Sequence, residues 1–271
     1  MMDHHQNGGC AGRCADVDQF SFVMAFQPVV DTETRTIYAY EALVRGANGE
    51  GAASVLAAVT NDNRYAFDQA CRVKAIATAA RLGLASRLNI NFLPNAVYHP
   101  EACLRLTLKT AEEYRFPHHL ITFEFTEDER VFDRDHLKVI VQTYKKNHFQ
   151  TALDDFGAGF AGLALLADFQ PDTIKVDRCL VSGIDHDPPR QAILHGLVKT
   201  AELLRISLVA EGVERREEVA FLRSLGIHLF QGFLFARPAI ETLIPVDGIP
   251  WETALSPPEE SGPSGGQRPS A

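Results

Sequence analysis

The stretch Leu153-Asp154-Asp155-Phe156-Gly157-Ala158-Gly159 places two adjacent carboxylates at the end of a short apolar segment, immediately before a glycine-bearing loop. Adjacent residues of a strand point to opposite faces. Two neighbouring carboxylates can therefore act together only where the strand stops and the chain turns. Catalytic groups of parallel α/β scaffolds occupy such positions. The stretch predicts a strand over 149–153 whose carboxyl end carries reactive groups.

The same arrangement recurs along the chain, with short strand-like runs alternating with helical runs. Further strand-like runs cover 88–92, 120–125, 173–176, 207–210 and 227–230, and helical runs include 64–82, 136–146, 190–204 and 215–225. Alternating units of this kind predict a parallel sheet. About eight strands in one domain favour a closed TIM-like (β/α)8 barrel. The open doubly wound alternative is disfavoured because no Rossmann or Walker glycine loop follows a strand.

The start of the chain departs from this alternation. Strand-like runs at 20–30 and 36–44 are separated by the polar turn Asp31-Thr32-Glu33-Thr34. Two apolar runs joined by a short polar turn are typical of a hairpin. We therefore expect an α/β barrel with one antiparallel strand near its start.

The chain of 271 residues fits one large domain with two flanking segments. We expect a flexible leader at 1–18, a barrel at 19–250 and a disordered tail at 251–271, because 256–271 is rich in proline, glycine and serine. The leader contains His4, His5, Cys10 and Cys14. Their spacing is not that of a standard zinc finger, so a loose leader is favoured over a metal or redox cluster.

Charge and cysteine content restrict the partners and the compartment. A net charge of −9 argues against binding to duplex nucleic acid, which needs a basic surface, but leaves room for a small anionic ligand. The five cysteines are irregularly spaced, and we find no signal peptide. No apolar run approaches the roughly 18 residues of a membrane span. These features predict a cytoplasmic protein that does not bind membranes.

Polar residues stand at the downstream ends of the predicted strands. They are Glu41, Asn91, Glu124, Asp154, Asp155, Lys175, Glu211 and Gln231. A single carboxylate is more often a helix cap or a salt-bridge partner than a ligand. Because all of these residues share the same position at strand ends, the set indicates a functional site. Two like charges about 4 Å apart repel by roughly 4 kcal/mol at an effective dielectric near 20. Either some of these groups are protonated or cations lie between them.

The residue types favour hard divalent cations. Carboxylate and amide oxygens suit Mg²⁺ or Mn²⁺, and no histidine stands at these strand ends to suggest zinc. Adjacent Asp154 and Asp155 could join two ions, which at a separation of about 3.5–4 Å stabilise both oxygens in phosphoryl transfer. Lys175 could then hold the attacking water or neutralise a phosphate oxygen.

Taken together, these motifs resemble those of the EAL-domain phosphodiesterases, which cleave cyclic di-GMP to the linear dinucleotide pGpG. The matching motifs are Glu41-Ala42-Leu43-Val44-Arg45, Asn91, Glu124-Phe125-Thr126-Glu127, Asp154-Asp155-Phe156-Gly157, Lys175-Val176-Asp177, Ala210-Glu211-Gly212-Val213-Glu214 and Gln231-Gly232. The resemblance runs from about Phe22 to Pro238. The stretch 89–98 is similar to the branch that is also found fused to blue-light-sensing BLUF domains. No sensor domain is expected in this chain.

The resemblance implies roles for individual residues. Two divalent cations, Mg²⁺ or Mn²⁺, would be held by Glu41, Asn91, Glu124, Asp154, Asp155 and Glu211. The catalytic residues would be Glu41, Lys175, which would position water, and Glu211, which would help to deprotonate it. Arg45 would pair with a substrate phosphate. The other substrate-binding residues would be Gln27, Leu43, Lys175, Glu214 and Gln231. Glu127 would brace the loop after Asp155, and a homodimer is expected.

One departure from the family leaves alternative functions open. The chain has Phe160-Ala161-Gly162 where many members carry Tyr-Ser-Ser, which puts turnover rate and dimer coupling in question more than metal binding. The first alternative is a catalytically weak cyclic di-GMP receptor, or a regulator of the same fold that binds a protein partner. The second is a two-metal barrel hydrolase that acts on another phosphoester.

Overall fold

The computed structural model describes residues 20–97, 99–126, 134–159 and 162–257. The strands in these residues are β1 (Phe22–Asp31), β2 (Thr36–Gly46), β3 (Arg87–Asn91), β4 (Ile121–Thr126), β5 (Gln150–Phe156), β6 (Thr173–Val176), β7 (Ser207–Ala210), β8 (Leu229–Phe230) and β9 (Ala239–Ile240). The α-helices are α1 (Ala52–Leu56), α2 (Arg64–Arg81), α3 (Pro100–Glu113), α4 (Arg134–Lys146), α5 (Gly162–Asp168), α6 (Arg178–Val181), α7 (Pro188–Leu204), α8 (Arg216–Ser224) and α9 (Trp251–Leu255).

Eight strands close into a barrel. Strands β2 to β8 are parallel neighbours in chain order. Strand β1 closes the ring because it pairs antiparallel with β2 on one side and with β8 on the other. The prediction of a TIM-like barrel with one antiparallel strand near its start is confirmed. The short β9, which was not predicted, adds to β1 at Ala25 and Phe26.

The opening hairpin covers 22–46 and so lies two residues further along the chain than the predicted range 20–44. Strands β1 and β2 pair from Phe22 opposite Gly46 to Asp31 opposite Thr36. Oδ1 of Asp31 accepts hydrogen bonds from the backbone N–H groups of Glu33 and Thr34, at 2.9 and 3.3 Å, which fixes the turn. Strand β2 thus continues beside β1 to Gly46, beyond Ala42, where its pairing with β3 ends.

Side-chain alternation separates the polar interior of the barrel from its apolar exterior. On β4, Thr122 and Glu124 share the interior face, because alternate residues of a strand point to the same side. Phe123 points outward, and its ring centroid lies 4.8 Å from that of Tyr144 on α4. The main apolar core is therefore the layer between the barrel and its helices, and the polar ends of the strands remain available for a site.

The folded region extends past residue 250, where a disordered tail was expected to begin. Helix α9 lies within the range 251–271, with Ala254 buried. The Trp251 ring centroid is 6.4 Å from that of Phe235, and its indole N–H donates to the Val246 carbonyl at 2.9 Å. The boundary at 250 is wrong because the apolar side chains of this helix pack against the barrel. The expected leader, with His4, His5, Cys10 and Cys14, and residues 258–271 lie outside the described residues.

In the described part of the chain, no helix combines the length and the apolar character needed to cross a membrane.

Candidate metal centre

Lys175 of β6 lies at the centre of a cluster of carboxylates. Its side chain is 1% exposed, so Lys175 is buried inside the barrel. The cluster forms inside the barrel because its members lie on the interior faces of β2, β4, β5 and β6 or directly after β7. Nζ lies 2.8 Å from Glu211 Oε1, 3.0 Å from Glu124 Oε2, 3.1 Å from Asp154 Oδ2 and 3.3 Å from Glu41 Oε2. Burial alone would lower the pKa of Lys175, but these carboxylates outweigh burial and raise it, so the ammonium is retained.

Glu41 connects three elements of the barrel. Its Oε1 accepts a hydrogen bond from Asn91 Nδ2 at 2.8 Å, and its Oε2 accepts one from Gln231 Nε2 at 2.7 Å as well as pairing with Lys175. Glu41 was predicted to end its strand, and this is wrong, because the pairing of β1 with β2 continues to Gly46. Glu124 likewise lies two residues before the end of β4.

The carboxylates form two groups that share Asp154. Single oxygens of Glu41, Glu124 and Asp154 lie within 4.8 Å of one another, and so do those of Asp154, Asp155 and Glu211. Adjacent strand residues normally diverge, but here the register of β5 shifts between Leu153 and Phe156. Asp155 has a φ of +53°, and its N–H donates to Asp154 Oδ1 at 2.9 Å. The turn brings both carboxylates into one cluster, as the sequence predicts.

Crowding and burial perturb the acidic groups. Burial raises the pKa of Glu124 and of Glu211 well above the usual value, although Lys175 opposes the shift in both. Burial, followed by repulsion from Asp154, raises the pKa of Asp155 to about 6. All-oxygen donors with raised pKa values suit divalent cations, because a bound cation favours the ionised form of each ligand.

Asn89 is a member of the site that sequence reasoning missed. Its Nδ2 donates to Glu124 Oε1 at 2.7 Å, and the residue is 6% exposed. Asn89 lies two residues before Asn91 on β3, so both amides are on one face of the strand. The two-residue spacing between Asn89 and Asn91 could have placed Asn89 in the site from the sequence alone.

A cavity of about 320 Å³ opens above the cluster and contains most of the predicted site. The predicted residues that line it are Gln27, Glu41, Leu43, Asp154, Asp155, Lys175, Glu211, Glu214 and Gln231. Asp177, Arg178 and Phe233 line it as well and were not predicted to do so.

Four predicted positions lie outside this cavity or outside the described residues. Glu124 is completely buried within the cluster, and Asn91 lines a neighbouring cavity. Arg45 does not line the cavity, and its guanidinium donates to the carbonyl of Val44 at 2.7 Å. Glu127 is not among the described residues. Phe160 and Ala161, in the loop that differs from the family pattern, are not described either, whereas Gly162 begins α5.

Gly232 allows the loop after β8, which carries Gln231, to lie directly against the backbone of Val213. A Cβ at this position would lie 2.1 Å from the carbonyl oxygen of Val213, a backbone contact that cannot relax cheaply. We expect Gly232→Ala to destabilise the fold by roughly 1–3 kcal/mol, the range for overpacked sites. Gly196→Ala is the control, because a Cβ in the middle of α7 meets nothing within 4 Å. It should be neutral or slightly stabilising. Urea unfolding of both variants measures the difference, and equal midpoints would contradict the expectation.

The sequence comparison identifies the family. The model of the EAL domain matches residues 15–238. This chain belongs to the EAL domain family. A standalone versatile EAL protein from Vibrio cholerae O395, solved in its c-di-GMP bound form, is 55% identical, with a TM-score of 0.81 over 83% of this chain and 95% of that chain. BlrP1 from Klebsiella pneumoniae, solved with manganese and cyclic di-GMP, is 36% identical, with a TM-score of 0.78 over 83% of this chain and 57% of that one.

A curated relative of this EAL domain is the blue light- and temperature-regulated antirepressor BluF of Escherichia coli strain K12. It is 35% identical over 228 residues, which cover 83% of this chain and 55% of BluF. The cyclic di-GMP phosphodiesterase PdeR of the same organism is 38% identical over 128 residues, 47% of this chain and 19% of PdeR. The chain therefore spans about half or less of the length of these curated relatives.

Proposed function

We propose that this EAL domain hydrolyses cyclic di-GMP to pGpG with the help of two divalent cations, Mg²⁺ or Mn²⁺. The observation that carries the proposal is the pair of carboxylate groups joined through Asp154 below an open cavity. The proposal is supported by relatives named as cyclic di-GMP phosphodiesterases and by related structures solved with the cyclic dinucleotide.

The net negative charge of the cluster supports the proposal of two divalent cations. The cluster contains one ammonium group and five carboxylates, those of Glu41, Glu124, Asp154, Asp155 and Glu211, which leaves four negative charges in excess when all are ionised. Two divalent cations carry four positive charges. Like-charge repulsion in a poorly solvated site is costly, so neutralisation of this kind favours the ionised cluster. Asn91 would complete the ligand set with its amide oxygen.

The residues of the chain have distinct parts in the proposed reaction. The two cations would supply Lewis acidity and a more acidic water. Lys175 would orient the attacking water, or hold a phosphate oxygen, with its ammonium group. Glu211, exposed by 15% at the cavity, would accept the proton of that water. Burial raises the pKa of Glu211, and the two cations would favour the ionised form that a general base needs.

The remaining assignments are part of the same proposal. Gln27, Leu43, Glu214 and Gln231 line the cavity and would contact the dinucleotide, while Arg45 would swing from the Val44 carbonyl to a phosphate. We propose that the domain works as a homodimer in the cytoplasm. The buried free thiols of Cys71 and Cys103 are consistent with a reducing compartment.

One assay tests the proposed function. Purified protein is incubated with cyclic di-GMP and either Mg²⁺ or Mn²⁺, and the product is separated by chromatography. We expect pGpG with either ion and no product when a chelator is in excess. Intact substrate under all conditions would contradict the proposal, and cleavage of other phosphodiesters in a substrate panel would identify a different two-metal hydrolase.

The raised pKa of Asp155 predicts a pH dependence of cation binding. Below about pH 6 its carboxyl is protonated, and the proton competes with the cation. We expect Mn²⁺ affinity, measured by calorimetry, to rise as pH increases from about 5 to 7. Asp155→Asn should bind Mn²⁺ more weakly and with a shallower slope, while the raised pKa values of Glu124 and Glu211 keep part of the pH dependence. Glu217→Gln, on the outer helix α8, should keep the wild-type profile; a flat profile in the wild type would refute the prediction.

A second candidate function is supported by the relationship to BluF, which is named as an antirepressor. In that case the domain would bind cyclic di-GMP or a regulatory protein and hydrolyse the dinucleotide slowly or not at all. Tight binding of cyclic di-GMP without product in the presence of Mn²⁺ would favour this function over catalysis.

A further inference from the structure

Strands β2 and β3 part at the level of the metal centre. Strand β2 pairs with β3 only as far as Ala42 opposite Ile90, whereas β3 continues beside β4 to Asn91 opposite Glu124. A largely apolar cavity of about 250 Å³ lies here, with residues of both strands in its wall. The backbone after Ile90 has therefore lost its pairing with β2 just where the chain carries a candidate ligand.

Asp68 of α2 supplies a hydrogen bond acceptor at this gap. Its carboxylate is almost completely buried, and Oδ1 accepts the backbone N–H of Leu93 at 3.0 Å. Leu93 is two residues beyond Asn91. On the other side, the N–H of Phe92 donates to the Glu124 carbonyl at 2.9 Å. The backbone at 91–93 is held by β4 on one side and by Asp68 on the other.

Arg72, one helical turn after Asp68, fixes the position of the Asp68 carboxylate. Arg72 is completely buried, and its Nη2 lies 2.8 Å from Asp68 Oδ2. Its Nη1 donates to the Tyr144 hydroxyl at 2.9 Å, and its Cζ lies 5.0 Å from the ring centroid of Phe123. Replacing a buried ion pair by apolar residues is often neutral or stabilising. Stability alone therefore does not account for a charged pair at this point.

We propose that Asp68 is a positioning residue for the Asn91 ligand, and that it acts through the backbone N–H of Leu93. Asn91 donates its Nδ2 to Glu41 at 2.8 Å, which leaves its amide oxygen for a cation. Metal sites depend on the partners that orient their ligands, and loss of such a partner typically weakens affinity about 10–100-fold. Asp68 itself would touch neither cation nor substrate. The inference rests on the proposed function, because it assumes that Asn91 binds a cation.

A matched pair of double variants tests the proposal without leaving Arg72 buried and unpaired. Asp68→Asn with Arg72→Met removes both charges but keeps a side-chain oxygen for the Leu93 N–H. Asp68→Ala with Arg72→Met removes the acceptor as well. We expect the asparagine pair to bind Mn²⁺ within about 3-fold of wild type and the alanine pair to bind about 10-fold or more weakly. Calorimetry with Mn²⁺ measures both, and excess Mn²⁺ should restore turnover in the alanine pair.

Tyr144→Phe is the structural control, because it removes a partner of Arg72 and leaves the Asp68–Leu93 hydrogen bond. It should lower the melting temperature without changing Mn²⁺ affinity. Equal affinity in the two double variants would overturn the role of Asp68 while leaving the proposed function intact. If the alanine pair does not fold, weak Mn²⁺ binding by a folded asparagine pair would overturn it instead. A wild-type protein that binds no Mn²⁺ would overturn the proposed function and this inference with it.

Discussion

Asp154→Asn is expected to abolish hydrolysis of cyclic di-GMP and to remove high-affinity binding of both cations. Among the described residues, Asp154 is the one carboxylate that belongs to both oxygen groups, so its loss would take a ligand from each of the two proposed cations at once. We expect turnover to fall by at least about 10³-fold, since cation-assisted activation and charge stabilisation are lost together. Chromatographic assay of pGpG measures the first effect, and Mn²⁺ calorimetry measures the second.

The same substitution should leave the fold intact. Lys175 keeps three carboxylate partners, at 2.8, 3.0 and 3.3 Å, and the neutral amide relieves part of the like-charge repulsion. The melting temperature measured with a chelator should therefore be unchanged or higher. Asp172→Asn is the control: its Oδ2 accepts from the Thr151 N–H at the opposite end of β5, and asparagine keeps an oxygen there. That variant should retain full turnover. Substantial turnover by Asp154→Asn would refute the two-cation assignment.

Polar residues that interrupt apolar strands made the architecture and most of the site predictable from the sequence. Strands β6 and β7 begin and end where the pattern placed them. Nearly every carboxylate named from those interruptions lies in or at the cluster, because the parallel strands of a barrel bring their downstream ends to one mouth.

The errors arose where tertiary pairing overrides local pattern. The sequence pattern alone does not show that pairing with β1 extends β2 to Gly46. Glu41 was therefore placed at a strand end and not within a strand. Lys175 was placed at the end of its strand, but the sequence did not show its burial, which depends on carboxylates from four other strands or loops. Arg72 was passed over within a helical pattern, since only the packed structure pairs it with Asp68.

Lys175→Met is expected to couple stability to divalent cations. In a chelator the four carboxylates around this position lose their shared counter-charge, and breaking a buried ion pair by removing one partner costs about 3–5 kcal/mol. The melting temperature should fall by roughly 10 °C for a domain of this size. The loss should be smaller near pH 5, because carboxyls with raised pKa values take up protons and reduce their own repulsion.

Mn²⁺ should restore most of this stability but not turnover. Two bound cations would neutralise the carboxylates that have lost the Lys175 ammonium group. Mn²⁺ should therefore raise the melting temperature of Lys175→Met more than that of the wild type. Turnover should stay at least about 10²-fold low, because no ammonium remains to orient water or phosphate. Lys145→Met, which removes a surface ion pair with Asp172, should shift the melting temperature little and equally with and without Mn²⁺. If Mn²⁺ raised the melting temperature of the wild type and of Lys175→Met equally, the ammonium group and the cations would not neutralise the same carboxylates.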